Sequence, residues 1–174
     1  MSIDREAFIA RFGGVFEHSE WVAADALDWL AEAPGDDAAL TAPAVHAAMV
    51  KAFSAASAEK RLQVLRAHPD LAGRLAIAGG LTEDSKAEQA SAGLDRLTPE
   101  EHARFTTLNA IYTDKFGFPF IIAVRGKTRH DILAAFEARV DNTADVEFDT
   151  ACGEVETIAR LRLEALIPAA AAGR

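Results

Sequence analysis

The chain has 174 residues, half of them apolar, and 27 acidic against 18 basic residues give it a formal charge of −9. That length suits one domain with a genuine core, and the acidic balance argues against a nucleic-acid binder, which needs a basic stripe to neutralise phosphates. No run of about 18 apolar residues exists to span a membrane.

The pattern is helical almost throughout. "SEWVAADALDWLAEA" sets Trp21, Ala24, Leu27 and Leu30 at helical spacing with acids opposite, and a turn at Pro34-Gly35-Asp36 ends it. "APAVHAAMVKAFSAA" predicts the next helix and "SAEKRLQVLRA" another, with Leu62 and Leu65 on its buried stripe. Pro69 closes that one, because the residue before a proline is pushed out of the α region. Beyond Gly79-Gly80, "LTEDSKAEQASAGL" predicts a helix capped by Thr82 or Ser85 and stopped at Gly93. "LTPEEHARFTTLNAIYTDKF" carries a full start signal: Thr98 as cap, Pro99 at the first helical position, and Glu101 completing a capping box. "GFPFIIAVRG" breaks the period with a Phe-Pro pair and an unbroken apolar run, which suits extended chain or one buried turn. Thr128 begins a helix through about Val140, and a last one runs from about Asp145 to Leu166, ahead of an alanine-rich tail prone to fray. With no repeat and no linker, the expectation is an all-α, single-domain bundle of about seven to nine helices over residues 1–174.

Three stretches carry residues suited to chemistry. In "RAHPDLAGRL", His68 stands at a predicted helix end. Imidazole titrates near neutrality and can move a proton, and Pro69 stiffens its setting; equally, a histidine there often only satisfies backbone carbonyls. The His-Pro-Asp triplet, preceded by Lys60, Arg61 and Arg66, also resembles the Hsp70-docking triplet of co-chaperone J-domains, a non-enzymatic helical binding module. The aromatic segment upstream and the lysine-rich loop downstream of that motif are missing. In "SKAEQ", Ser85, Glu88 and Gln89 stand at i, i+3 and i+4 on one helix face. They read either as a capping box with a solvated amide or as a polar patch for a small, heteroatom-rich ligand. "GFPFIIAVRG" is either a buried segment with its arginine in solvent or an apolar wall whose main-chain groups position a flat, polar ring. Arg125 then grips a carboxylate or an imide-like oxygen. The five histidines, at 18, 46, 68, 102 and 130, form no His-x3-His or His-x2-Glu pair, and Cys152 has no partner, so no metal site is expected. No Gly-rich phosphate loop, nucleophile elbow or dinucleotide fingerprint appears.

Taken jointly, "HPDLAGR", "SKAEQASAGL" and "FGFPFIIAVRGK", in that order and spacing, resemble the 2-oxo-4-hydroxy-4-carboxy-5-ureidoimidazoline (OHCU) decarboxylases of urate breakdown. "FIARFGGVFEHSEWVA" and "IARLRLEAL" extend the resemblance over residues about 5–166. The resemblance implies an all-α, cofactor-free carboxy-lyase, usually homodimeric, that forms (S)-allantoin. It makes His68 the catalytic proton donor with Glu88 assisting, and it places Pro69 in the pocket lining. It assigns substrate binding to Ser85, Lys86, Ala87, Glu88 and Gln89, and to the wall Phe120, Ile121, Ile122, Ala123 and Val124, with Arg125 carried over beside them. Arg74 stands where the family commonly has lysine, outside the pocket. A small-molecule substrate is expected as partner, with no nucleic acid and no membrane. One cysteine suits a reducing compartment, "MSIDREAF" lacks a signal-peptide core, and "AGR" is not a peroxisomal tripeptide; a cytoplasmic location is the expectation.

Overall fold

Side-chain oxygens placed just ahead of the apolar-periodic segments decide where the helices start. A computed structural model describes residues 3–31, 40–73 and 79–168. Among them it has eight α-helices and no strand: α1 (Arg5–Phe12), α2 (Glu20–Ala31), α3 (Ala42–Ala55), α4 (Ala58–Ala67), α5 (Glu83–Ser91), α6 (Pro99–Phe116), α7 (Arg129–Arg139) and α8 (Ala144–Leu166). The all-α expectation holds. Asp4, Thr41, Thr82, Thr98 and Thr128 each accept a hydrogen bond from the backbone N–H three residues on, a contact worth about 1 kcal/mol per helix. Thr98 with Glu101, and Thr128 with Asp131, close reciprocal capping boxes. Of the two caps open for α5, Thr82 takes the role, which leaves Ser85 inside the helix. The turn at Pro34-Gly35-Asp36, Arg74 and the tail beyond residue 168 lie outside the described residues.

The chain forms two compact units, Met1–Ala67 with Glu156–Arg174, and His68–Val155. In the first, α2 packs on α1 and α3 through Val22, Ala23, Ala26 and Leu30. The stripe expected there is displaced: Trp21, Ala24 and Leu27 are only half-buried. Small side chains let neighbouring backbones approach, and the indoles are pushed to the rim. There they are covered by lysines, Lys60 Nζ lying 4.1 Å from the Trp21 ring and Lys51 Nζ 5.5 Å from that of Trp29. On α4 the buried residues are Val64 and Leu65, with Leu62 half-buried. Arg162 of α8 reaches back to Glu17 (3.0 Å) and to the Val15 carbonyl (3.3 Å), all in the interior.

The second unit is organised around Tyr112. Its ring lies 5.4 Å from Phe120 and 5.7 Å from Phe136, both edge-on, while Phe120 and Phe136 stack at 3.9 Å with planes 10° apart. Such aromatic pairs add roughly 0.5–1.5 kcal/mol beyond the area they bury. Gly117, at φ 76°, ends α6 in the left-handed conformation and turns the chain into residues 118–124. That segment is neither helix nor strand, yet every residue in it is buried. Glu147, fully buried at the start of α8, accepts from the Tyr112 hydroxyl, from Arg139 Nε (2.8 Å) and Nη2, and from Asn142 Nδ2 (2.9 Å). A buried carboxylate needs such a set of donors to offset its desolvation.

Candidate active site

His68 follows directly on α4, which ends at Ala67 as Pro69 requires. It is buried, at 9% exposure. The chain then tightens. Ala72 takes φ 51°, a left-handed conformation that disfavours a residue with a Cβ by about 1–2 kcal/mol. A Cβ on Gly73 would meet that of Asp70 at 2.5 Å, so glycine is required there. Two amide side chains hold the strained turn. Gln89 Oε1 accepts from the Ala72 N–H at 3.0 Å while its Nε2 donates to the Asp70 carbonyl at 3.4 Å. Asn109 Nδ2 donates to the Leu71 carbonyl at 2.9 Å.

On α5, Ser85 and Gln89, one turn apart, are both buried. Glu88 is half-buried, and Lys86 and Ala87 are exposed on the other side of the helix. The face reading of "SKAEQ" therefore describes this helix better than the solvated capping box. Gln89 is spent largely on backbone: it fixes the loop that begins at His68.

The apolar run is buried from Phe118 to Val124. The Phe120 ring belongs to the core stack with Phe136. A turn with Gly126 at φ 76° closes on the hydrogen bond from the Lys127 N–H to the Val124 carbonyl at 3.0 Å. Arg125 sits exposed at its tip. The turn brings Lys127 Nζ back to the Ala123 carbonyl at 2.8 Å. Glu154 Oε2 accepts from the Ala123 N–H at 2.7 Å, and Arg139 Nη1 donates to the Ile121 carbonyl at 2.8 Å. Among the described residues, none supplies a hydrogen bond to the N–H or C=O of Ile122 or to the N–H of Val124. Buried main-chain groups are rarely left so.

Asn109, Lys127, Arg139 and Glu154 were not visible as site residues in the sequence, because all four act through main chain. One signal was there: a buried asparagine interrupts the apolar face of α6. Its Oδ1 is buried without a hydrogen-bond partner among the described residues. No group of three His, Cys, Asp or Glu side chains that could hold a metal ion occurs among them either.

A histidine on a pinned loop, a polar helix face fastened to that loop, and a gripped apolar wall all belong to the unit His68–Val155. The chain matches the family described as OHCU decarboxylase over residues 1–164 and belongs to that family. It is 45% identical over 163 residues to the 2-oxo-4-hydroxy-4-carboxy-5-ureidoimidazoline decarboxylase of Halalkalicoccus jeotgali, covering 94% of this chain and 86% of that one. The protein of the same description from Haloferax volcanii is 44% identical over 161 residues, covering 92% and 89%. Among solved structures, an (S)-allantoin synthase superposes with a TM-score of 0.70 at 33% identity. The match covers 95% of this chain and 52% of that longer one.

Proposed function

We propose that this protein decarboxylates OHCU to (S)-allantoin in urate degradation, with His68 as the proton donor and Glu88 assisting, the chain working as a single OHCU decarboxylase-like domain. The observation that carries the assignment of residues is the tie between Gln89 and the 70–72 turn, which fastens the helix bearing Ser85 and Glu88 to the loop bearing His68. The same tie disfavours the J-domain-like reading of the triplet, whose Asp70 is drawn into an internal turn.

The chemistry needs no external electron sink. The reacting carbon carries the carboxylate and a hydroxyl and adjoins a ring C=N. When the C–C bond to CO2 breaks, its electron pair forms a C=C bond to the neighbouring carbon. The former C=N pair moves onto nitrogen, which takes a proton, giving an enediamine-like enol. The hydroxyl then gives up its proton to become a carbonyl, while the ureido-bearing carbon takes one from His68. Delivery from one side makes one enantiomer. The buried run Phe120–Val124 excludes water and meets the ring with its main chain, Pro69 shapes the pocket beside His68, and Ser85 and Arg125 take substrate oxygens. Lys86 and Ala87 span the helix turn between Ser85 and Glu88, their own side chains being exposed. Glu88 favours the imidazolium by opposite charge. The test is a chiral assay on freshly generated OHCU: optical activity of (S)-allantoin appears faster than in buffer, and a racemic product at the uncatalysed rate refutes the assignment.

Glu88→Gln isolates charge from shape. Turnover falls by about 10-fold or more. A variant with the parent's rate removes Glu88 from the mechanism.

A homodimer and a cytoplasmic location complete the proposal. Ile111 and Val146, large apolar side chains exposed on the His68–Val155 unit, are available to an interface, and the lone, buried Cys152 suits a reducing compartment. Sedimentation equilibrium gives twice the 18.6 kDa chain mass; a single-chain mass at micromolar concentration rules the dimer out.

A further inference from the structure

Three charged side chains from three different places converge on consecutive peptides of the wall. Arg139 of α7 takes the Ile121 carbonyl, Glu154 of α8 takes the Ala123 N–H, and Lys127 beyond the turn takes the Ala123 carbonyl. The described peptides are all trans, and in a trans peptide the C=O and N–H point in opposite directions. Holding the Ile121 carbonyl therefore aims the Ile122 N–H away from Arg139. Holding the Ala123 N–H aims the Ile122 carbonyl away from Glu154, and holding the Ala123 carbonyl aims the Val124 N–H away from Lys127. Those three outward-aimed groups have no partner among the described residues, and neither do the N–H of Ile121 and the N–H and C=O of Phe120 just ahead of them.

The pattern is that of one gripped edge and one open edge. Ala123 presents both its groups to the grip, and the peptides on either side of it turn the Ile122 carbonyl and the Val124 N–H away. Each gripping contact involves a full charge, the stronger kind of hydrogen bond, and Arg139 is itself anchored by the buried Glu147. The edge is thus rigid before any ligand arrives, which lowers the ordering cost of binding.

We propose that Glu154, Lys127 and Arg139 are positioning residues that preset Ile122 N–H, Ile122 C=O and Val124 N–H as a donor–acceptor–donor row for a lactam or ureide edge, a ring N–H adjoining a C=O. The assignment rests on the decarboxylase reading of the site and adds to it which groups read the ring and what holds them. An edge that grips the ring equally in ground and transition states contributes uniform binding, so its loss appears in KM more than in kcat.

Glu154 is the position to test, because Arg139 also closes the buried Glu147 network. Glu154→Leu removes the acceptor, and Glu154→Gln keeps a carbonyl oxygen at the same reach. With the leucine variant, KM for OHCU and Kd for (S)-allantoin, measured by calorimetry, rise together by about 10-fold while kcat stays within about 3-fold. Glutamine restores both. Parent-like KM and Kd in Glu154→Leu overturn the proposal, as does equal impairment by glutamine and leucine, which assigns the effect to charge or packing. If the leucine variant does not fold, the parent protein decides by nuclear magnetic resonance. On titration with (S)-allantoin, the amides of Ile122 and Val124 shift and that of Ala123 does not; the reverse pattern overturns the proposal. The parent's rate on OHCU tests the decarboxylase reading separately.

Discussion

His68→Asn lowers turnover of OHCU by at least ~100-fold and leaves the helical circular dichroism and melting midpoint of the parent in place. Asparagine fits the space and keeps a polar amide, but it cannot gain and lose a proton near neutrality. The fold tolerates the change because the turn after His68 is held from elsewhere, by Gln89 on Ala72 and Asp70 and by Asn109 on Leu71. What remains of the product is racemic, since proton capture from solvent has no preferred side. Near-normal turnover, or a single enantiomer from the variant, takes His68 out of the proton-transfer step.

Glu147→Leu destabilises the protein by about 3–5 kcal/mol, the loss expected when one partner of a buried ion pair is removed. Glu147 has no exposed surface, and Arg139 opposite it is 11% exposed at the side chain. Without the carboxylate, the guanidinium, the Tyr112 hydroxyl and the Asn142 amide all lose an acceptor in the interior. For a chain of this size that lowers Tm on the order of 10 °C. Adding Arg139→Met to Glu147→Leu recovers part of the loss, because the stranded charge has gone. An unchanged urea midpoint in the single variant refutes the account. Burial, and next the hydrogen bond to Glu147, push the Tyr112 hydroxyl well above the ordinary phenol range. The folded state keeps that proton where the unfolded chain releases it, so this contribution is complete below about pH 10 and is lost as pH rises beyond it.

Local signals were readable and distant ones were not. Thr98, Pro99 and Glu101 contain the whole capping box of α6 within four residues, and the structure reproduces it. The same holds for Thr128 at α7 and for the stop that Pro69 imposes on α4. On α2 the buried face was misplaced because tryptophan's hydrophobicity outweighs alanine's in a periodic reading, while close helix packing favours the alanine side. The site divides likewise. His68, Ser85 and Gln89 stand out by residue type, but the turn at Ala72 depends on amides 17 and 38 residues away. Glu154, 31 residues from the peptide it grips, leaves no motif at all.

The pairing of Glu17 with Arg162 joins positions 145 residues apart, and between them lies the whole of His68–Val155. On a ribosome adding about 5–20 residues per second, Glu17 waits roughly 7–30 s for its guanidinium. The intervening unit ends seven residues before Arg162, so it is complete in sequence only about 0.4–1.4 s before the guanidinium is added. Until then the early segment keeps Phe8, Phe12, Phe16 and Glu17, all buried in the folded protein, exposed on the nascent chain.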